Sequence, residues 1–329
     1  MQRLASQWVK DQPRSTLARD LLASSYRKLG DLKKFDKNFA GARHDYLTAI
    51  ELGRAILKDE PESLVFKAHL AIGLDDLAGV ARAQGESAEA RALFEEAARI
   101  GTELVKADPE ALETRFRLLQ TQFKLAHIEE SEGQFEQAGR LFRGVRENVK
   151  ELEQNGLLEG RTDGFTNLPA LESEIAFCEK APRSLSDIEF ALAQKGALGA
   201  RLLLLNAQNI GSEKHSGRPA KLAEALISLA SDDQNEQVEI ARQLARFISN
   251  LNSRLPGAST DPALKQIRDR CARRCVELVQ LARKQGYAES ELRESIELRN
   301  VLKDAGVLAI ASQPVPPSPA SNTPVKTSE

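Results

Sequence analysis

Cysteine is scarce in this chain, three residues among 329, as are tryptophan (one), tyrosine (three) and methionine (one). Three thiols without a pairing pattern cannot form a disulfide framework, and they fit a reducing compartment such as the cytoplasm. No apolar run approaches the roughly 20 residues of a membrane span, and the N-terminus lacks the apolar core of a signal peptide. A net charge of −2 argues against a general nucleic-acid or anionic-membrane binder. The signatures of catalysis are missing too. There is no Gly-rich phosphate loop, no His-Arg-Asp catalytic loop and no Asp-Phe-Gly metal ligand. His44, His69, His127 and His215 carry no triad pattern. The sequence therefore points to no enzyme, no cofactor and no metal.

What is present is a period. Pro13, Pro61 and Pro109 stand 48 residues apart, each closing a similar phrase, Lys-Asp-Gln-Pro, Lys-Asp-Glu-Pro and Lys-Ala-Asp-Pro. A period of this length marks supersecondary units that stack in a row. Sliding the chain by 48 aligns Leu22 with Leu70 and Leu118, Leu29 with Leu77 and Leu125, Ala42 with Ala90 and Ala138, and Tyr46 with Phe94 and Phe142. Within a unit the apolar residues recur at helical steps, as in Leu70, Leu74, Leu77, Val80 and Ala81. Each unit reads as two helices, broken at Gly85 and Gly133, where glycine permits the positive φ that ends a helix. The first break, Asp36-Lys37-Asn38, has no glycine and reads as less sharp. Pro61 and Pro109 are expected in the first turn of the following helix.

These residues resemble the tetratricopeptide repeats (TPR). The family's large residue, Leu-Gly, small Ala, aromatic and final Ala are matched by Tyr26, Leu29-Gly30, Ala42, Tyr46 and Ala49. They recur as Leu74, Leu77-Ala78, Ala90, Phe94 and Ala97, and more weakly as Gln122, Leu125-Ala126, Ala138, Phe142 and Val145. The departure is length, 48 residues where the usual repeat has 34. The resemblance implies an all-α, TPR-like helical-repeat solenoid of 48-residue hairpins followed by a less regular helical layer. It also implies a groove lined by the first helix of each repeat. The matching positions are Arg27, Asp31 and Lys34, then Asp75, Gly79 and Arg82, then Phe123, His127 and Glu130. The family's carboxylate clamp, Lys and Asn at the first two of these sites, is absent. Mixed charges with one aromatic suit a polar extended peptide or a partner helix, and the bland alternative is a solvated face that binds nothing.

The remaining chain reads as a loop or hinge over 156–168, an irregular helical region over 169–306 and a Pro-, Ser- and Thr-rich disordered tail over 307–329. Helices are expected near 169–180, 185–210, 219–230, 235–252, 263–285 and 288–304, with breaks at Gly211–Gly217 and Leu255-Pro256-Gly257. The run Ala176-Phe-Cys-Glu-Lys-Ala-Pro-Arg183, the segment Asp187–Leu192, and the later Leu281–Tyr287 and Leu302-Lys303-Asp304 resemble the C-terminal TPR region of large planctomycete serine/threonine protein kinases. That resemblance implies a regulatory or recruiting segment.

Three alternatives stay open: the C-terminal fragment of an active kinase, a self-assembly module docking through an exposed N-terminal helix with Leu4 and Trp8, and a transcription-regulator effector region. Residues 1–12 match only the tail of a repeat, so a longer protein or a separate chain is expected upstream. Arg268, Arg270, Arg273 and Arg274 form a possible anion patch around Cys271 and Cys275. Nearby cations lower a thiol's pKa, whereas a small apolar role in the core is the ordinary use of cysteine; the sequence leaves the role of this pair open.

Overall fold

The computed structural model describes residues 2–161, 163–207, 218–254, 261–292 and 295–304. The expected tail over 307–329, the breaks at Gly211–Gly217 and Leu255–Gly257, and His215 lie outside the described residues. All regular structure among the described residues is helical. Two compact units divide the chain between Glu179 and Lys180.

In the first unit, α1 (Gln2–Asp11) packs on the first of three hairpins. These are α2 (Thr16–Phe35) with α3 (Phe39–Asp59), α4 (Leu64–Ala83) with α5 (Ser87–Ala107), and α6 (Leu112–Ser131) with α7 (Phe135–Gln154). Each helix packs on the next, so the hairpins stack in chain order. The 48-residue register carries the core: Ala42, Ala90 and Ala138, and Tyr46, Phe94 and Phe142, all have no exposed surface. Small alanines let the paired helices approach, and the aromatic fills the space they leave.

The turns repeat in the same register. Backbone bonds from Ser15 N–H to Gln12 O (3.0 Å), Ser63 to Glu60 (3.2 Å) and Ala111 to Asp108 (3.3 Å) close three turns, each with proline in its second position. The prolines thus stand ahead of the helices rather than in their first turns, because a fixed φ near −65° suits the second residue of such a turn. The residue after each turn starts the helix. Ser15 Oγ accepts from Ala18 N–H (3.2 Å) and Ser63 Oγ from Phe66 N–H (3.4 Å), whereas Ala111 has no side chain to do so. Between the helices of a hairpin, Gly85 (φ +80°) and Gly133 (φ +78°) adopt the left-handed conformation, and so does Lys37 (φ +58°). The first break is therefore as sharp as the others, with lysine held where glycine serves elsewhere.

After α7 comes a 3-10 turn, Gly164–Thr166, with Phe165 buried against α6 and α7. Helix α8 (Leu168–Ser186) follows and carries the chain across the unit boundary. The second unit holds α9 (Ile188–Leu192), α10 (Gly196–Ala207), α11 (Arg218–Ser228), α12 (Gln234–Arg254), α13 (Pro262–Lys284), α14 (Glu289–Leu292) and α15 (Ile296–Asp304). One helix expected over 185–210 is instead split. Asp187 caps α9 by accepting from Phe190 N–H (3.1 Å), and Gly196 (φ +62°) restarts the chain as α10. The core of this unit centres on α12 and α13 and includes Leu203, Phe247, Cys271 and Cys275.

Candidate binding groove

Helices α2, α4 and α6 bring four of the expected groove residues, Arg27, Asp31, Lys34 and Asp75, into a ladder-like set of ion pairs and hydrogen bonds. Arg27 reaches across to Asp76 (3.4 Å), and Lys34 approaches the same carboxylate (3.9 Å). Asp75 accepts from Lys124 Nζ (2.6 Å) and Thr121 Oγ1 (2.9 Å) on α6. Asp31 accepts from Tyr46 Oη (2.9 Å), and Lys28 lies 3.4 Å from its other oxygen. A further rung joins Asp20 to His69 Nδ1 (2.7 Å). The rungs from α2 to α4 and from α4 to α6 mostly join residues 49 apart, one repeat plus one position. Burial, with Asp31 beside it, raises the pKa of Asp76, an effect that Lys34 and Arg27 only partly offset.

Two groove positions differ from this pattern. Gly79 has open space where a side chain would project, and Arg82 is exposed. At the third repeat, the His127 ring meets Phe123 and Phe142 edge-on, with centroids 4.6 and 5.0 Å apart, and its Nδ1 lies 3.2 Å from Glu130 Oε2. Glu174 of α8 completes a set of three whose ligand atoms all lie within 4.8 Å of one another. One ring nitrogen and two carboxylates give a divalent cation three ligands, one short of a closed structural zinc site. Asp76, Thr121, Lys124, Asp20 and His69 were missed as groove residues. The 48-residue alignment does hold a signal for some of them, since Lys28, Asp76 and Lys124 fall together one position after the family's first groove site.

The arginine cluster of α13 is largely engaged within its own unit. Arg270 is paired with Glu224 through two bonds, the one from Nη2 measuring 2.8 Å. Arg274 donates to Leu229 O (3.0 Å) and lies 3.1 Å from Glu277, Arg268 donates to Asn252 Oδ1 (2.9 Å), and Arg273 is exposed. Cys271 and Cys275 are fully buried. Burial pushes the Cys271 thiol up to about 12, overriding the opposite pull of Arg270, and raises that of Cys275 as well. The Cys275 thiol donates to Ala241 O at 3.3 Å. Burial has outweighed the neighbouring arginines, so these thiols pack as apolar groups and are not activated.

Two junctions of the stack contain cavities in equivalent places. Between α2, α3 and α4 the space is about 20 Å³. Between α4, α5 and α6 it is about 150 Å³. Ala23, Gly53 and Leu70 line the first, and Ala71, Gly101 and Leu118, each 48 residues later, line the second.

Among known proteins, a tetratricopeptide repeat model matches residues 71–111, from the middle of α4 through α5 to the turn before α6. A solved structure, the crystal structure of BtubC (BKLC) from P. vanneervenii, is similar with a TM-score of 0.40 and 17% sequence identity, covering 87% of this chain and 89% of that one. No curated protein matches the chain. No helix among the described residues is long and apolar enough to cross a membrane. Residues 71–111 thus form a tetratricopeptide repeat within an all-α, TPR-like helical-repeat fold.

Proposed function

We propose that the chain is a non-catalytic scaffold that binds a protein or peptide partner along the face formed by α2, α4 and α6, and that it acts in the cytoplasm. The observation that carries this reading is Gly79. It stands in the middle helix of the face with open space around it, flanked by Asp75 and Asp76, whose charges are met from neighbouring helices. A partner's backbone can approach closely there, and the neutralised ladder gives it polar groups without a large desolvation penalty.

A tyrosine at Gly79 would fill that space from the outside while improving helix propensity. Wild-type protein and the Gly79→Tyr, Arg82→Glu variant are immobilised side by side and their bound proteins compared. A partner held by the first and lost by the second supports the groove; equal recovery, with unchanged circular dichroism melts, overturns it.

The resemblance of residues 176–183, 187–192, 281–287 and 302–304 to the C-terminal TPR region of planctomycete serine/threonine kinases extends the reading to a regulatory or recruiting segment associated with such a kinase. A serine/threonine kinase among the retained proteins supports that extension, and its consistent absence overturns it. Leu4, 77% exposed on α1, favours a second reading, self-association through that helix. Sedimentation equilibrium tests it: a dimer abolished by Leu4→Lys supports self-association, and a monomer at all concentrations overturns it.

A further inference from the structure

The cavities at the two junctions share eleven wall positions, and seven of these carry different residues. In the smaller one, Phe66 fills the position that Thr114 holds in the larger, and Asp20 the position of Ala68. Asp20 is drawn across to His69 at 2.7 Å, whereas the equivalents, Ala68 and Arg117, make no such bridge. Gly73 becomes Thr121, whose hydroxyl turns to Asp75, and Ser24, Arg27 and Ile56 become Ile72, Asp75 and Leu104. The first junction thus has a phenyl ring of the chain itself in its wall, and the second has threonine in the ring's place while keeping Ala71, Ala97, Gly101 and Leu118 where the first has Ala23, Ala49, Gly53 and Leu70.

The charged groups around the larger cavity have partners in the protein, although those of Asp76 only partly offset its burial. Asp75 is met by Lys124 and Thr121, Asp76 by Arg27 and Lys34, and Arg117 by Glu113 at 3.0 Å. Of charged occupants, an anion would meet Asp75 and Asp76, a cation would compete with Lys124, Arg27 and Lys34 for them, and either would lose its hydration on entry. The apolar wall formed by Ala71, Ala97, Leu104 and Leu118 favours an uncharged one. A space of about 150 Å³ is enough for a benzene-sized ring, and the first junction holds such a ring, Phe66, at the position of Thr114.

We infer that the cavity between α4, α5 and α6 is a specificity pocket for an uncharged aromatic side chain, phenylalanine above all, of the peptide bound on the α2, α4 and α6 face. This rests on the groove reading above and names what the groove selects. Phe66 is the internal template, and Thr114 is the residue whose small size opens the site.

The test uses the full chain and its Thr114→Phe variant, which supplies the ring that the first junction has at this position. Ala68→Leu, half-buried and lining the same cavity, serves if Thr114→Phe does not fold. A random-peptide display selection on the wild type is expected to enrich peptides with one aromatic position, and the variant should bind a selected peptide about tenfold more weakly or worse, the worth of a buried ring. Enrichment without an aromatic position, or affinity within twofold in the variant, overturns the inference and leaves the groove reading standing. If no peptide is enriched, the groove reading fails, and N-acetyl-phenylalaninamide decides the cavity separately. Amide resonances of Ala71, Ala97 and Leu118 shifting with that probe in the wild type but not in the variant, and not with N-acetyl-alaninamide, support the pocket; equal shifts in both proteins, or none in either, overturn it.

Discussion

The Tyr46 ring lies against Gly30 so closely that a Cβ on the glycine would come within 2.7 Å of Cε1 and 2.8 Å of Cδ1. The hydrogen bond from Tyr46 Oη to Asp31, the next residue, holds the ring there. The equivalent pairs in the next two repeats are Ala78 with Phe94 and Ala126 with Phe142, where the aromatic has no hydroxyl and the small residue already carries a methyl. Alanine at Gly30 should therefore destabilise the protein by about 1–3 kcal/mol through overpacking, despite the better helix propensity of alanine. Ala78→Gly should also destabilise, by about 1 kcal/mol. Urea unfolding of both variants checks the pair of signs, and a gain in stability for Gly30→Ala would show that the ring can yield.

Phe94 is fully buried between hairpins, among Ala78, Ala81, Ala90, Leu125 and Ile128. Truncation to alanine removes the ring and leaves a cavity that the flanking helices can only partly close. The expected cost is about 3–5 kcal/mol, read as a lowered melting temperature or denaturation midpoint. A melt unchanged within error would take Phe94 out of the core.

Lys37 stands at φ +58°, where its two counterparts are glycines. The Cβ of an L-residue is crowded in that conformation. Lys37→Gly should raise stability by about 0.5–1 kcal/mol, the relief of that crowding less the added freedom of glycine in the unfolded chain. Gly85→Lys should lower it. Matched denaturation curves of the two variants test the opposition directly.

The hydrogen bond to Asp20 raises the pKa of His69, against the lowering effects of burial and of Arg27. The folded state thus binds the proton more tightly than the unfolded one. The stabilisation is fully present below the unfolded value of about 6.5 and is lost as pH rises through the higher folded value. The stability gap between wild type and His69→Gln should then be wider near pH 5.5 than near pH 8.5. Paired melts at the two pH values measure it, and a gap independent of pH would deny the linkage. The side chain is 44% exposed, so screening keeps the effect small.

Cys178, Cys271 and Cys275 are all buried, and burial raises the pKa of the latter two. Native protein at neutral pH should react with Ellman's reagent far more slowly than free thiol, with all three sites titrating promptly in denaturant. Rapid modification of one site in the native state would indicate an opening at α8, which carries Cys178, or at α13, and of two sites an opening that includes α13.

Much of this architecture could be read from periodicity alone. The buried alanines and aromatics at 42 and 46, 90 and 94, and 138 and 142 followed from one alignment, because large and small residues must alternate wherever hairpins stack. Positions decided by a single side chain were harder to read. The left-handed turn at Lys37 was hidden because sequence preference there favours glycine. The split near Asp187 was hidden because the capping residue lies inside a run that is otherwise helix-forming. The groove was half legible. Arg27, Asp75, His127 and Glu130 were all named from the sequence, but Asp76, Lys124 and Glu174, which come to them from other helices, are set by the packing of successive helices. The arginines of α13 looked like a patch because sequence shows the cations together, whereas Glu224 and the Leu229 carbonyl reach them only in the folded unit.

Ala111 takes the place that Ser15 and Ser63 hold at the starts of α2 and α4, and it leaves the first turn of α6 without a side-chain cap. Thr114, in that same turn, walls the larger cavity. An uncapped helix start is therefore also a door post of the larger of the two cavities. On the pocket proposed above, fastening that turn should slow the comings and goings of its occupant, and loosening it should blur which shapes are admitted.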